Sequence, residues 1–320
     1  MEKVYIGVDV GSVSINVVAI DDETNILFES YVRNVGQPID IVKEELKKLH
    51  KELPGKEIGG VGVTGSGRQL IGYVLGADVV KNEITAHATA TLYFHPNVST
   101  IFEIGGQDSK LIIINDGTIA DFAMNTVCAA GTGSFLDHQA QRLGIKIEEF
   151  GEIALTAKRE VRIAGRCTVF AESDMISKQQ YGFSKAEILK GLSKALVRNY
   201  MNNLVRGRKL KPDFVFQGGV AANIAIKKAF EEEVGHEVIV PKYYNIMGAI
   251  GIAMIAREEV KRLGVHTKFK GFDVSEEKFE TTTFICKACP NECEIIQIKA
   301  NGKIIAMTGD RCGRYSNSII

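Results

Sequence analysis

The spacing of apolar residues changes period along this chain, and each change marks an element. Val4–Val10 is a near-continuous apolar run, Ser14–Ile20 a second and Ile26–Arg33 a third, with Asp21–Asn25 as the turn between the last two. Short runs rich in Val and Ile, broken by Gly, Ser, Asp and Asn, predict a three-stranded meander whose first turn is Asp9-Val10-Gly11-Ser12. From Pro38 to Leu53 the period lengthens to that of an amphipathic helix; a strand at Ile58–Thr64, a short helix at Arg68–Leu75 and a helix at Ile84–Phe94 follow. The pattern is α/β alternation.

A second stretch repeats the first two strands and their turn. Glu103–Asp116, EIGGQDSKLIIIND, aligns without gaps on Asp9–Asp22, DVGSVSINVVAIDD, at a constant offset of 94 (103 − 9). Acid, apolar residue, Gly, small residue, strand and acidic turn recur in one order, as expected of a duplicated unit. Helices are then predicted at Ala130–Leu143, Ile147–Ala157 and about Thr168–Gln180, with a short apolar segment at Val161–Ala164. A long helix runs from Ser184 to about Arg208, its basic end suiting the negative pole of the helix. Asp213–Phe216 reads as a strand entering Gly218-Gly219-Val220 and a helix to Val234; Glu237–Val240 is the next strand and Asn245–Leu263 the last helix. Beyond Val265 the pattern loosens, and Phe284–Tyr315 reads as a separate cysteine-bearing module. The domains expected are 1–96, 97–265 and 266–320.

At 320 residues and 45% hydrophobic content the chain can build more than one core. Its 39 basic and 39 acidic residues cancel, so no overall field draws it to nucleic acid or an anionic membrane. The start, MEKVYIGVDV, has no signal-peptide run, and the apolar stretch Ile246–Ala256 is too short to span a bilayer, which together point to the cytoplasm. Six cysteines in such a chain favour metal ligation or redox work over a disulfide framework. The six histidines, His50, His87, His95, His138, His236 and His266, show no ligand spacing.

Each glycine-rich turn joins two strands, so its N–H groups can point at a phosphate while glycine permits close approach and positive φ. The acids ahead of the turns, Asp9 and Glu103, sit at strand ends within reach of a magnesium ion, directly or through water. Gln107, Asp108 and Lys110 add groups able to orient a water or meet a γ-phosphate. Gly218-Gly219-Val220 passes from strand to helix as a nucleoside-contacting turn would, with Asn223 one turn in. The plain alternative is a set of ordinary tight turns; the duplicated pair together with the third turn favours nucleotide binding. Neither a Walker A loop nor a Rossmann fingerprint is present.

Duplicated hairpins carrying DVGS and EIGGQD, followed by a GGV turn, resemble the acetate and sugar kinase, heat-shock chaperone and actin superfamily. The resemblance implies an α/β fold of two related actin-like (ribonuclease H-like) domains with ATP in the cleft between them. It assigns Asp9, Gly11, Ser12 and Val13 to a first phosphate loop, Glu103, Gly105, Gly106, Gln107 and Asp108 to a second, and Gly218, Gly219, Val220 and Asn223 to an adenosine motif.

Two cysteines lie elsewhere, Cys128 in NTVCAAGTGSF and Cys167 in GRCTVFAESD, each just ahead of a predicted helix where the dipole and N–H groups stabilise a thiolate. Two thiols cannot fill the four positions of a 4Fe-4S cluster, but a two-fold dimer would supply the other pair. The plain alternative is two buried apolar thiols. IGGQD, then CAAGTGSFLD, then CTVFAESD closely resemble the activator (component A) of 2-hydroxyacyl-CoA dehydratases, a family that includes the benzoyl-CoA reductase ATPase subunits, over roughly residues 3 to 263. The resemblance implies a homodimeric ATPase with one 4Fe-4S cluster held by Cys128 and Cys167 of each subunit. It also implies ATP/ADP and Mg2+ as cofactors, a ferredoxin- or flavodoxin-like electron donor, and an iron–sulfur acceptor enzyme. The acceptor would be a 2-hydroxyacyl-CoA dehydratase or a related enzyme with a double-cubane cluster. Gln107 and Asp108 are the candidates to hold the hydrolytic water, while Glu172 and Asp174 read equally well as helix-start acids without chemistry. Asn16 departs from the family, whose activators carry lysine there.

In the last segment Cys286, Cys289 and Cys293 precede a hairpin, Glu294–Lys299 and Lys303–Met307, around Asn301-Gly302, and Cys312 follows. Four cysteines around a small hairpin make zinc the default occupant and a second iron–sulfur cluster the rival. Two other readings of the whole chain compete: a small-molecule kinase of the same superfamily, and a nucleotide-dependent assembly or chaperone-like protein. Both predict no iron.

Overall fold

The computed structural model describes residues 3–125 and 127–316. Contacts group the chain into two units, one from the described parts of Met1–Glu83 and Gly248–Ile320, the other Ile84–Met247.

In the first unit β1 (Lys3–Val10), β2 (Ser14–Ile20) and β3 (Ile26–Arg33) form the antiparallel meander that the apolar runs predict. Helix α1 (Pro38–Glu52) starts on Pro38, takes Asp40 in its first turn and His50 and Lys51 in its last, and buries Val42, Leu46 and Leu49 at helical spacing. Then come β4 (Glu57–Thr64), α2 (Arg68–Leu75) and β5 (Val79–Val80), with β4 parallel to both β1 and β5. The sheet order is β3-β2-β1-β4-β5.

The second unit begins with α3 (Glu83–Phe94) and repeats the meander as β6 (Thr100–Ile104), β7 (Ser109–Asn115) and β8 (Thr118–Asn125). A 3-10 turn (Ala129–Gly131) leads to α4 (Gly133–Leu143); α5 (Phe150–Leu155), α6 (Thr168–Gln180) and α7 (Lys185–Tyr200) follow. Next are β9 (Phe214–Gln217), α8 (Ile224–Val234) and β10 (Val238–Ile239). Its sheet order, β8-β7-β6-β9-β10, repeats that of the first unit strand for strand. The registers repeat too: Asp9 faces Asn16 across β1 and β2, and Glu103 faces Lys110 across β6 and β7, both at the offset of 94 (103 − 9 and 110 − 16). An aromatic core of Phe102, Tyr200, Phe214 and Phe230 fills the space under this sheet.

The chain returns to the first unit through α9 (Met247–Leu263), which lies against the sheet where two glycines are cross-strand partners, Gly7 on β1 and Gly62 on β4. A Cβ on Gly7 would sit 1.9 Å from the Ala249 carbonyl oxygen and one on Gly62 2.4 Å from that of Ile252, so glycine at both is what admits the helix backbone. The last segment forms an antiparallel sheet of β11 (Phe279–Ile285), β12 (Glu294–Ala300) and β13 (Lys303–Thr308). The expected hairpin is present, turning at Asn301 and Gly302, both at positive φ.

Several expectations differ from the structure: β5 and β8 were not foreseen, and the helix expected over Ile147–Ala157 opens as a 3-10 turn before α5. The helix expected from Ala130 begins at Gly133, because the chain first closes the 3-10 turn. The helix from Ser184 is α-helical only to Tyr200 and continues as a π-helical turn, Met201–Val205. And β11 is a strand ahead of the expected hairpin. Among the described residues no helix is long and apolar enough to cross a membrane.

Candidate functional site

In the first unit the loop after β1 is braced from two sides. Gly11 donates its N–H to the Ser14 carbonyl at 2.9 Å, and Asn34 donates from its side chain to the Gly11 carbonyl at 2.9 Å and from its backbone to that of Val13 at 2.8 Å. On the other flank a turn unremarked in the sequence, Gly65-Ser66-Gly67, follows β4: Gly67 N–H donates to the Val10 carbonyl at 2.9 Å and the Ser66 hydroxyl to the same oxygen at 3.3 Å. Gly65, at φ +94°, has the Val10 backbone 2.5 Å from where a Cβ would stand. Asp9 is half-buried at the end of β1 and Ser12 is exposed at the tip. In the duplication this GSG turn is the counterpart of Gly218-Gly219-Val220, since Thr64 partners Asp9 as Gln217 partners Glu103. That symmetry was the available signal.

In the second unit Lys110 is 2% exposed and its ammonium lies between two carboxylates, 3.0 Å from Glu103 and 2.9 Å from Asp108. A charge this deep is tolerated only when paired. Glu103 is buried with it, so among the second loop's acids it is Asp108 that stays partly exposed, beside the exposed Gln107. Gly105 N–H closes the loop on the Asp108 carbonyl at 3.1 Å. The Gly218 turn packs on the same place: at φ +87°, its Cβ would lie 2.4 Å from the Ile104 carbonyl and 2.6 Å from the Glu103 carboxylate. Behind it Gln217 donates to His87 at 3.0 Å and accepts from Thr91 at 2.8 Å, a buried relay that fixes the end of β9. Asn223 caps α8, accepting from the N–H groups of Ala225 and Ile226. Of the two acids expected near magnesium, Asp9 is half-buried while Glu103 is buried against Lys110; Asp108, expected to orient a water, is the second loop's partly exposed acid.

The second loop also carries the start of α4. Gly133 donates its N–H to the Gly105 carbonyl at 2.9 Å and Ser134 to that of Gly106 at 2.8 Å. These helix-start donors are thus occupied, and Cys128, five residues upstream, does not sit on the dipole of α4 as its position before a helix suggests. Cys167 does precede α6 directly, as its N-cap.

The two cysteine loops meet. The Cys128 sulfur lies 3.8 Å from the carbonyl oxygen of Arg166, the neighbour of Cys167, and both thiols are half-buried. Asn125 clasps the Cys128 backbone, accepting its N–H at 2.9 Å and donating to its carbonyl at 2.8 Å. Asn199 of α7 donates to the Cys128 sulfur at 3.5 Å and to the Gly165 carbonyl at 2.5 Å. Sequence reasoning missed this residue. Asp174 accepts from Ala164 N–H at 2.8 Å, and Glu172 pairs with Arg142, tying α6 to α4. Both acids, which read equally well as helix-start acids without chemistry, brace the cysteine segments. Large apolar side chains flank both cysteines in the open: Val127 is 96% exposed and Phe170 65%.

Among the described residues no group of three or more His, Cys, Asp and Glu side chains converges to hold a metal ion. Two thiols brought to adjacent loops, with a side-chain N–H on one sulfur, fit half of the thiolate set of a 4Fe-4S cluster. In the last sheet Cys286 is buried and accepts an N–H from Ala288 at 3.5 Å, while Cys289 and Cys312 are exposed. The segment carrying Cys312 folds back, with Tyr315 against Phe284 at 5.4 Å. Among the described residues the four cysteines form no group of three or more that could hold a metal ion.

A protein-family model described as the BadF/BadG/BcrA/BcrD ATPase family matches residues 6–256. The chain is 33% identical over 260 residues to the (R)-2-hydroxyglutaryl-CoA dehydratase activating ATPase of Acidaminococcus fermentans, covering 80% of this chain and 98% of that one. It is 35% identical over 260 residues to the activator of lactoyl-CoA dehydratase of Anaerotignum propionicum, with 80% and 98% covered. Among solved structures, the activator of the 2-hydroxyisocaproyl-CoA dehydratase from Clostridium difficile with bound ADPNP superposes with a TM-score of 0.74 at 32% identity, over 82% of this chain and 97% of that one. The fold is the actin-like ATPase fold, and the chain belongs to the BadF/BadG/BcrA/BcrD ATPase family.

Proposed function

We propose, with that family membership as premise, that the protein is an ATP-hydrolysing activator that delivers single low-potential electrons to an iron–sulfur acceptor enzyme. The acceptor is a 2-hydroxyacyl-CoA dehydratase or a related double-cubane enzyme. The electron donor would be a ferredoxin- or flavodoxin-like protein, and Cys128 and Cys167 of each of two copies would hold a 4Fe-4S cluster. One observation carries the reading: the Cys128 sulfur lies 3.8 Å from the backbone of Arg166, beside Cys167. Residues far apart in sequence thereby bring two cysteine-bearing loops together, supporting half of what a cluster needs, beside exposed apolar side chains that a second copy would cover.

When bound, such a cluster supplies a one-electron centre of low potential. The chain's own residues do the rest. In the first unit the free N–H groups of Ser12 and Val13 suit a phosphate and Asp9 a Mg2+ ion; in the second those of Gly106 and Gln107 suit a phosphate, and Gln107 with Asp108 would orient the attacking water. Loss of the γ-phosphate relaxes the second loop. Its carbonyls hold the first N–H groups of α4, so the change passes to the segment carrying Cys128.

The test is the spectrum of the reduced protein, purified without oxygen, before and after ATP. A change on ATP that ADP does not reproduce is expected. Iron-free protein that instead phosphorylates a small molecule would overturn the reading in favour of a kinase.

A further inference from the structure

One buried amide touches both cysteine loops. Asn199, near the end of α7, is 2% exposed; its Nδ2 lies 2.5 Å from the Gly165 carbonyl, in the loop of Cys167, and 3.5 Å from the sulfur of Cys128. A carbonyl can only accept, so the amide nitrogen must face Gly165. The Oδ1 then accepts from Asn203 at 3.0 Å. With the orientation fixed by Gly165, the second N–H points at Cys128.

The surroundings are cut to admit this side chain. A Cβ on Gly131 would stand 2.7 Å from the Asn199 Oδ1, and one on Gly165 2.6 Å from the Ala195 carbonyl, one turn earlier on α7. Directly after Asn199 and Tyr200 the helix widens into the π turn Met201–Val205, an irregularity that concentrates at functional sites. The turn also aligns Asn203 with Asn199. Since the start of α4 is engaged with Gly105 and Gly106, the amide stands in for the donor a helix terminus would have given Cys128.

We propose that Asn199 is a positioning residue of the iron–sulfur site: it fixes the loop of Cys167 against that of Cys128, and its N–H···S bond raises the potential of a cluster held there. The proposal rests on the cluster reading above. A hydrogen bond to a ligating sulfur favours the reduced, more negative state, so its loss makes reduction harder.

The experiment is a redox titration of the anaerobic homodimer, followed by the resonance signal of the reduced state, with iron counted in wild type, Asn199→Leu and Gly131→Ala. The expected result is a loss of roughly tenfold in the equilibrium constant for reduction, a shift of about 59 mV to more negative potential for one electron. Asn203→Leu, which leaves the Nδ2 contacts in place, shifts it less. Should Asn199→Leu fail to fold, Gly131→Ala, whose Cβ would stand 2.7 Å from the Asn199 Oδ1 and 3.2 Å from the Asn125 Nδ2, displaces the amide while keeping the asparagine and carries the test, with Asn125→Ala as the control for the second contact. Loss of iron from a variant that binds ATP like wild type supports the positioning half. Iron-replete Asn199→Leu and Gly131→Ala at the wild-type potential overturn the role of Asn199 and leave the cluster reading intact; iron-free wild type overturns both.

Discussion

Gly133 donates its backbone N–H to the carbonyl oxygen of Gly105 at 2.9 Å, so the helix that follows Cys128 is seated on the second phosphate loop. Gly133→Pro removes this N–H and sets its ring carbon where the hydrogen pointed, against the Gly105 carbonyl, so loop and helix are forced apart. It is expected to keep iron while weakening the spectral response to ATP severalfold. Gly133→Ala, which keeps the N–H but adds a Cβ 3.0 Å from the same carbonyl, is the steric control. Equal responses in the two variants would argue against the link.

Lys110 neutralises Glu103 inside the second unit. Lys110→Met leaves that carboxylate buried without its cation and should cost about 3–5 kcal/mol in chemical denaturation. Adding Glu103→Gln should recover much of the loss, which a double-mutant cycle measures; purely additive effects would deny the coupling.

Gly218→Ala forces a side chain into positive φ and against the Ile104 carbonyl 2.4 Å away. Strain of about 1–3 kcal/mol is expected from the backbone alone, before the clash is counted. Calorimetric titration with ADPNP should show affinity lost by tenfold or more.

Ser184 and Glu187 form the capping box of α7, and the Arg159 guanidinium bonded to Glu187 holds its carboxyl below the usual value. A lowered native pKa means that the contribution is complete above the ordinary carboxylate range and is lost as pH falls through the lowered value. Wild type should therefore lose stability on acidification in excess of Glu187→Gln, in melting temperature against pH between about 6 and 3. Parallel curves would contradict this.

The duplication was legible because two strands and the turn between them share one pattern, and the registers Asp9–Asn16 and Glu103–Lys110 confirm its offset. The cysteine helices and the carboxy-terminal hairpin were legible for the same local reason. The break in α7 was not, since its apolar stripe continues through Leu204, while the partners of Asn199 just ahead of the break, Gly165 and Cys128, lie in loops brought from elsewhere. Asn199 follows Leu189, Leu192 and Leu196 on the buried stripe, and a polar residue on such a stripe is itself the clue. The run FETTTFI, rich in β-branched residues, signals β11, but its outward threonines find their reason only in pairing with β12. Gly65-Ser66-Gly67 lay hidden because it braces Val10 from a distant strand.

The central claim is a cluster shared between two copies on Cys128 and Cys167. Iron and labile sulfide per chain, measured with the mass of the anaerobically purified assembly for wild type, Cys128→Ser and Cys167→Ser, test it most directly. The account predicts a wild-type dimer holding one cluster's iron, about four atoms, on these cysteines, and either substitution removing that iron while ATP binding persists. Iron retained in full by both variants, or a wild-type protein that hydrolyses ATP without iron, would contradict it.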